Sequence, residues 1–324
     1  MDQGFAIWAN PSSPHAEGRK ARAALEDARE RIKAALGWED ELVFTSGASE
    51  ALAIGLGRAK VPPAACSAVE HDAVLRHASG AARWPVDADG SVMLPENFPG
   101  GLAAIQHANS ETGVIQPIAS IAEEVRATRG LLLCDCAQTA GKIALPEADL
   151  IALSAHKFGG PIGIGALLVK DFAMLEPTGG QERGYRGGTE NMPGAMAMAA
   201  ALEAGNGWME GAAGLRGRLE DGIAAAGGQA IAADAPRIAT IGAYRMPGVS
   251  SAVQLIGFDA AGFAVSAGSA CSSGSLKTSH VLEAMAFPHP GEVIRVSIGR
   301  ETSEHEIDLF LEAWCAMSAK AKAA

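Results

Sequence analysis

Five short apolar segments recur through the first half of this 324-residue chain. They are 42–44 (LVF), 65–69 (ACSAV), 102–106 (LAAIQ), 131–135 (LLLCD) and 150–154 (LIALS). Residues 120–130 (SIAEEVRATRG), which separate two of them, have a helical pattern. Strands that are apolar almost throughout are buried on both faces, which is typical of parallel sheets covered by helices. The sequence therefore predicts an α/β fold with a mostly parallel central sheet flanked by helices.

The pattern changes near residue 208. A helical run (214–228) is followed by sparser strands at 237–244, 262–266 and 293–299, and the chain closes on a helical run at 303–321. These features predict a smaller α+β domain. We therefore divide the chain into a large domain, 1–207, and a small C-terminal domain, 208–324, which agrees with the usual size limit of one hydrophobic core.

Composition excludes several classes of protein. The net charge of −11 and pI near 5.2 argue against a surface for nucleic acid or anionic membranes. No apolar run approaches the ~20 residues of a membrane span, and the N-terminus lacks the pattern of a signal peptide, so we expect a cytoplasmic protein. Five scattered cysteines are not a disulfide framework, and Cys134 and Cys136 are expected to pack on one face of a strand.

Polar residues follow the apolar segments, where sheets of this kind bind ligands. TSGASE (45–50) is a glycine-containing turn before a helix, and its free N–H groups suit a phosphate, although a serine-capped helix explains it equally well. His71 follows the second segment. The ends of the fourth and fifth segments carry Asp135, Gln138, Ser154, His156 and Lys157.

These side chains share one chemistry. Lys157 can form a Schiff base, Asp135 can keep a pyridine nitrogen protonated, and His71 can stack on a ring. Each residue is a weak signal alone. A lone histidine such as His71, for example, is more often a helix-end or core residue. Together with a phosphate-binding turn they are the parts of a pyridoxal-phosphate site, with no metal.

Motifs in matching order extend from about residue 9 to the C-terminus. They are NPSSPHAEGR (10–19), FTSGASE (44–50), EHDAVL (70–75), NSETGVIQP (109–117), DCAQTAGK (135–142), SAHKFGGPIGIGAL (154–167), TGGQERGYRGGTEN (178–191), SAGSACSSGS (266–275) and IRVSIGR (294–300). In these motifs the chain resembles the cysteine desulfurases of the NifS/IscS type. That family belongs to the class V branch of the fold-type I enzymes, which use pyridoxal 5'-phosphate.

The resemblance implies a role for each matching residue. Lys157 would link covalently to the cofactor and move protons at the substrate carbon, and Asp135 would pair with the pyridinium nitrogen. Gln138 would bond the phenolic oxygen, and His71 would stack on the ring. The phosphate would be held by Ala48, Ser49, Ser154 and His156, and by Thr189 of a neighbouring subunit, which implies a homodimer.

The resemblance also implies the reaction. Arg295 would bind the carboxylate of L-cysteine through its two-pronged guanidinium group. Cys271, surrounded by small residues, would attack the substrate sulfur as a thiolate. The products would be L-alanine and a persulfide on Cys271, whose sulfur passes to an acceptor protein, with iron–sulfur cluster assembly as one destination.

The chain departs from the family pattern at three places, the mildest being Ser49 where threonine is commoner. The N-terminal segment that normally lines the substrate pocket is missing or supplied differently, and Ser110 replaces the second of two usual asparagines, so that Asn109 is the remaining candidate for a cofactor contact. Two alternatives stay open. One is a selenocysteine lyase or another class V enzyme such as an aminotransferase, and the other is a non-catalytic scaffold paralogue.

Overall fold

Within residues 1–268 and 278–323, which this computed structural model describes, the strands form two sheets. The larger has the order β1-β7-β6-β5-β4-β2-β3. Its strands are β1 (Glu41–Thr45), β2 (Pro63–Ser67), β3 (Ala82–Trp84), β4 (Leu102–Gln106), β5 (Leu131–Asp135), β6 (Leu150–Ser154) and β7 (Gly165–Val169). β7 runs antiparallel to both neighbours, and every other neighbouring pair is parallel. The predicted mostly parallel sheet is confirmed.

Helices cover both faces of this sheet, as predicted. They are α1 (Asp2–Ala6), α2 (Ala16–Leu36), α3 (Ala48–Arg58), α4 (Asp72–Leu75), α5 (Ile118–Ala127) and α6 (Met192–Glu203). α2, α5 and α6 contribute to one buried apolar cluster, and α3 and α4 contribute to another on the opposite face. Cys134 and Cys136 both lie in the first cluster while Leu133 lies in the second, which is the alternation expected of a strand.

The smaller sheet is antiparallel, in the order β10-β11-β9-β8. Its strands are β8 (Gln229–Ala230), β9 (Ile241–Arg245), β10 (Ser266–Ala267) and β11 (Val293–Ser297), and its helices are α7 (Trp208–Ala225), α8 (Ser251–Ala260), α9 (His280–Ala284) and α10 (Glu304–Ala323). A separate apolar cluster that includes Tyr244, Phe258 and Trp314 lies under them. The predicted α+β character is therefore present, and the division between residues 207 and 208 stays a prediction.

No helix in residues 1–268 and 278–323 combines the length and apolar character needed to cross a membrane.

A buried ion pair forms hydrogen bonds with the backbone of β1, the edge strand of the large sheet. The guanidinium group of Arg29 donates to both carboxylate oxygens of Glu182, at 2.9 and 3.0 Å, and the two side chains are only 3% and 1% exposed. Arg29 also donates to the carbonyl oxygen of Leu42 (2.6 Å), and the N–H of Phe44 donates to Glu182 (2.8 Å). The pair thus satisfies strand groups that would otherwise need a neighbouring strand.

We expect Glu182→Ala to lower the free energy of unfolding by about 3–5 kcal/mol, because it leaves Arg29 buried without its main counter-ion and the β1 edge without an acceptor. Urea denaturation of the purified chain measures the change. The matched control is Glu203→Ala, because Arg31 on the same helix donates to both oxygens of Glu203 at an exposed site. Its effect should be much smaller, and equal losses in the two variants would contradict the role given to the buried pair.

Candidate active site

A cavity of about 490 Å³ lies at the carboxyl ends of the large-sheet strands, with β11 of the small sheet forming part of its wall. Most of the residues predicted from the sequence line it. They are Ala48, Ser49, His71, Asp135, Gln138, Ser154, His156, Lys157 and Arg295. Residues far apart in the chain are thus brought together where parallel sheets bind ligands, and the roles assigned to them stay predictions.

The start of α3 forms one wall of the cavity. Its N-cap is Gly47, which has no side chain to accept from the first-turn N–H groups. The hydroxyl of Ser154 lies opposite, 2.9 Å from Nδ1 of His156, and a Cβ added to Gly47 would come within 3.4 Å of that hydroxyl. The positive end of the helix dipole, free N–H groups and a hydroxyl together suit an anion.

Lys157 projects from the short 3-10 turn that follows β6. Burial by the cavity walls, and then the positive charge of Arg295, lower the pKa of its ammonium group, while Asp135 opposes the shift. A lowered pKa increases the fraction of neutral amine near neutral pH. The site therefore increases the share of Lys157 in the form that acts as a nucleophile or a base.

Asp135 ends β5 and is buried, with Oδ1 accepting the N–H of Ala137 at 2.9 Å. Burial raises the pKa of this carboxyl group, and the Ala137 N–H, His71 and Lys157 oppose the shift. A buried carboxylate needs a cationic partner. Asp135 is therefore suited to pair with a cationic group of a bound ligand.

His71 is the N-cap of α4, and its Nδ1 accepts the N–H of Ala73 at 3.1 Å. Burial lowers the pKa of the imidazole, and Asp135 opposes that effect. Because Nδ1 is an acceptor here, the neutral ring carries its proton on Nε2. The backbone of α4 thus fixes both the orientation and the tautomer of His71.

Arg295 reaches the cavity from β11, and its Nη1 donates to the carbonyl oxygen of Ser110 at 2.8 Å. Ser297 on the same strand and Ile241 on β9 line the cavity too. The half-buried guanidinium group gives this wall a positive charge. The small sheet thereby supplies the side of the site that suits a substrate carboxylate.

Two of the predicted residues that the structure describes, Asn109 and Thr189, do not line the cavity. Asn109 is buried below it, where Oδ1 accepts the N–H groups of Glu111 and Thr112 and Nδ2 donates to the carbonyl oxygen of Val69. Thr189 is exposed, and its contact with another subunit stays a prediction. Cys271 lies outside the described residues.

The sequence interpretation gave no role to Glu50, Gln106, Ile162 and Ser297, which also line the cavity, and it treated Ser110, another cavity residue, only as a departure from the family pattern. Gln106 is the last residue of β4, so the rule that selected Asp135 at the end of β5 would also have found it. Ile162 is apolar and carries no such signal, and Ser297 ends β11 in the antiparallel sheet, to which the rule does not apply. In the described residues, no group of three or more His, Cys, Asp or Glu side chains is arranged to hold a metal ion.

Comparison with known proteins identifies relatives across nearly the whole chain. The family model described as "Aminotransferase class-V" matches residues 5–310. A cysteine desulfurase of Bradyrhizobium diazoefficiens is 38% identical over 96% of this chain and 87% of its own length. Among solved structures, a NifS-like protein superposes with a TM-score of 0.87 at 28% identity, covering 97% of this chain and 92% of that one.

A further solved structure, titled "SspA in complex with cysteine", has a TM-score of 0.75 at 26% identity and covers 94% of this chain and 96% of that one. The similarity therefore includes both sheets and the residues that line the cavity. On these grounds the chain belongs to the class-V aminotransferase family and, within it, to the cysteine desulfurases.

Proposed function

We propose that this protein is a pyridoxal 5'-phosphate-dependent cysteine desulfurase, which converts L-cysteine to L-alanine and transfers the sulfur to an acceptor protein. The observation that carries the proposal is the convergence of Lys157, Asp135, His71 and Arg295 on one cavity. It supplies an amine, a buried acid, an imidazole and a guanidinium group, which together match the charges of the cofactor and of an amino acid.

The residues present fit the cofactor. The uncapped start of α3, with Ala48 and Ser49, and the side chains of Ser154 and His156 would hold its phosphate. Asp135 would pair with the ring nitrogen, and Gln138 would bond the phenolic oxygen. When bound, the cofactor withdraws electrons from the substrate carbon.

The protein's own groups then have separate tasks. Arg295 binds the substrate carboxylate, and its fixed position on β11 orients the amino acid in the cavity. Lys157, whose lowered pKa increases the fraction of neutral amine, takes and returns a proton at the substrate carbon. His71 would stack on the ring of the bound cofactor, in the orientation that the Ala73 N–H fixes through Nδ1.

Cys271 is our proposed sulfur acceptor, on the basis of its motif alone. Its thiolate would attack the substrate sulfur, and the carbon–sulfur bond would break with its electron pair left on the carbon fragment. The sulfur would remain on Cys271 as a persulfide, and the carbon fragment would take up a proton and leave as alanine. A second acceptor protein then receives the sulfur. The cytoplasmic location and iron–sulfur cluster assembly as the destination remain predictions.

We also propose a homodimer, supported by an apolar surface beside the cavity. Ile162 at the cavity rim is 83% exposed, and Phe5 and Trp8 are 62% and 54% exposed. Ile162 lies near the start of α6 because Asn191 donates to the carbonyl oxygen of the adjacent Gly163. Phe5 and Trp8 lie near the same point because Gly4 packs on Pro193. An exposed apolar surface of this kind is typical of an interface, and Thr189 would complete the partner's phosphate site.

Replacing Ile162 with aspartate should therefore shift the protein toward monomers and weaken cofactor retention together, because a charge would be buried at the interface. Sedimentation velocity and the cofactor content after gel filtration measure the two effects. The matched control is Ile256→Asp, since Ile256 on α8 is 72% exposed but does not line the cavity. A wild-type monomer that retains the cofactor as firmly as a dimer would disprove this proposal.

Lys157→Ala should abolish the visible absorption of the bound cofactor and the borohydride-reducible lysine adduct, while leaving the fold intact because Lys157 contributes little to the core. Absorption spectra and peptide mass spectrometry after reduction measure both. Lys60→Ala is the control, because Lys60 is exposed and outside the cavity. If the reconstituted wild type shows neither the band nor the adduct, the cofactor proposal is wrong.

Cys271→Ala should retain cofactor and bind cysteine, since neither step needs the thiol, but form no alanine. Wild-type protein given cysteine without an acceptor should gain sulfur on the peptide that contains Cys271. Alanine release at the wild-type rate from Cys271→Ala would show that this thiol is incidental.

Arg295→Lys should show the opposite pattern to Cys271→Ala, with sulfur still transferred but cysteine affinity reduced about ten- to a hundredfold.

A further inference from the structure

Glu70 is a buried acid next to the active site that the proposed mechanism does not use. It immediately precedes His71, and its side chain is fully shielded from solvent. Oε1 accepts the hydroxyl of Ser67 at 2.6 Å and the N–H of Gln106 at 2.9 Å. Oε2 is buried and has no hydrogen-bond partner among the described residues. Oε1 thus accepts two hydrogen bonds, whereas Oε2 accepts none from the described residues.

The surroundings of Glu70 disfavour a negative charge. Arg83 is a nearby cation, but its guanidinium group donates to Cys66 Sγ and to the carbonyl oxygens of Ala78 and Leu75. Because one carboxylate oxygen is buried and has no donor among the described residues, the charged form of Glu70 is disfavoured relative to the neutral acid. Burial raises the pKa of Glu70 from 4.5 to about 8; the hydrogen bonds from Ser67 and Gln106 oppose the rise, and the charge of Asp135 adds to it.

The strand register connects Glu70 to Asp135. Gln106, whose N–H is bonded to Glu70, is the register partner of Asp135 in the neighbouring parallel strand. Neighbouring strands are about 4.8 Å apart, so the two acids belong to one buried region beneath the cavity. Two carboxylates in such a region each raise the proton affinity of the other.

We propose that Glu70 is held as a neutral carboxylic acid beneath the cavity, and that its neutrality keeps Asp135 available as a charged carboxylate at neutral pH. Glu70 is therefore a positioning residue, which acts on the site through Gln106 and through its own lack of charge. The titratable or charged groups that face it are Cys66, His71, Arg83, Cys134, Asp135 and His280, the last donating to its backbone carbonyl oxygen. The inference rests on the proposed function only for the role of Asp135.

The first test compares wild-type protein with Glu70→Gln by urea denaturation from about pH 5 to about pH 9. Between pH 4.5 and about 8 the folded wild type keeps a proton that its unfolded chain has released. Raising the pH should therefore increase the unfolding equilibrium constant of wild type by up to about tenfold per pH unit relative to that of Glu70→Gln. The ratio of the two constants should level off above about pH 8. Glu123→Gln, which removes an exposed carboxylate on α5, is the control and should show no such slope.

Infrared spectroscopy tests the same point on wild type alone, in case Glu70→Gln does not fold. Wild type should show the carbonyl stretch of a protonated carboxylic acid at neutral pH, and the band should fade as the pH rises through about 8. Absence of the band at neutral pH, or a stability difference that does not change with pH, would overturn the proposal.

A third measurement concerns the coupling to Asp135. Ionisation of Glu70 above about pH 8 would place a second negative charge near Asp135, so the ratio of the Glu70→Gln rate of alanine formation to the wild-type rate should change as the pH rises through about 8. A constant ratio would overturn the coupling. If the protein forms no alanine at all, the proposed function fails, while the denaturation and infrared results still decide the charge state of Glu70.

Discussion

A close backbone contact between Gly47 and Gly165 is the constraint on which the active-site region depends. A Cβ on Gly165 would lie 2.4 Å from the carbonyl oxygen of Leu153 and 2.7 Å from Cα of Gly47, so only glycine fits. This contact brings the start of α3 against the turn that carries His156 and Lys157. The antiparallel direction of β7 contributes, because it returns the chain beside β1 directly after that turn. An anion site and a reactive amine are thereby held together by main chain, which cannot change rotamer.

The edge of the large sheet is secured by a different device. Glu182 binds Arg29 and the β1 backbone, although its own φ of 48° is in the left-handed region that residues other than glycine rarely adopt. The same loop continues to Arg186, which donates to Glu50 (3.2 Å), and Glu50 in turn accepts the N–H of Ser46 at 2.5 Å. The Arg29–Glu182 pair holds Phe44, and the hydrogen bonds from Arg186 to Glu50 and from Ser46 to Glu50 hold Ser46. The segment before α3 is thus fixed at both ends by contacts that lie mostly outside the cavity.

The electrostatics of the site follow from burial opposed by a few charges. Lys157 lies near Arg295 and Asp135, which shift its pKa in opposite directions, and burial decides the net lowering. For Asp135, burial raises the pKa and the nearby His71 and Lys157 restrain the rise. Such opposed shifts are typical of catalytic sites, because each group must be able to change its protonation state near neutral pH. Glu70 fits this picture as an acid whose neutrality limits the negative charge at the strand ends.

The sequence by itself determined the α/β architecture and most of the cavity, because apolar strand patterns and the polar residues that end them are local signals. Lys157, Asp135 and His71 were found in this way, and so were the buried faces of Cys134 and Cys136. Tertiary structure decided what depends on distant partners. It directs Asn109 into hydrogen bonds with Val69, Glu111 and Thr112 while Ser110 lines the cavity. Among the described residues it leaves one oxygen of Glu70 without a donor. It also joins Arg29 to Glu182 across 153 residues. No local pattern specifies such contacts, because the free energy of a buried polar group depends on which distant segments fold against it.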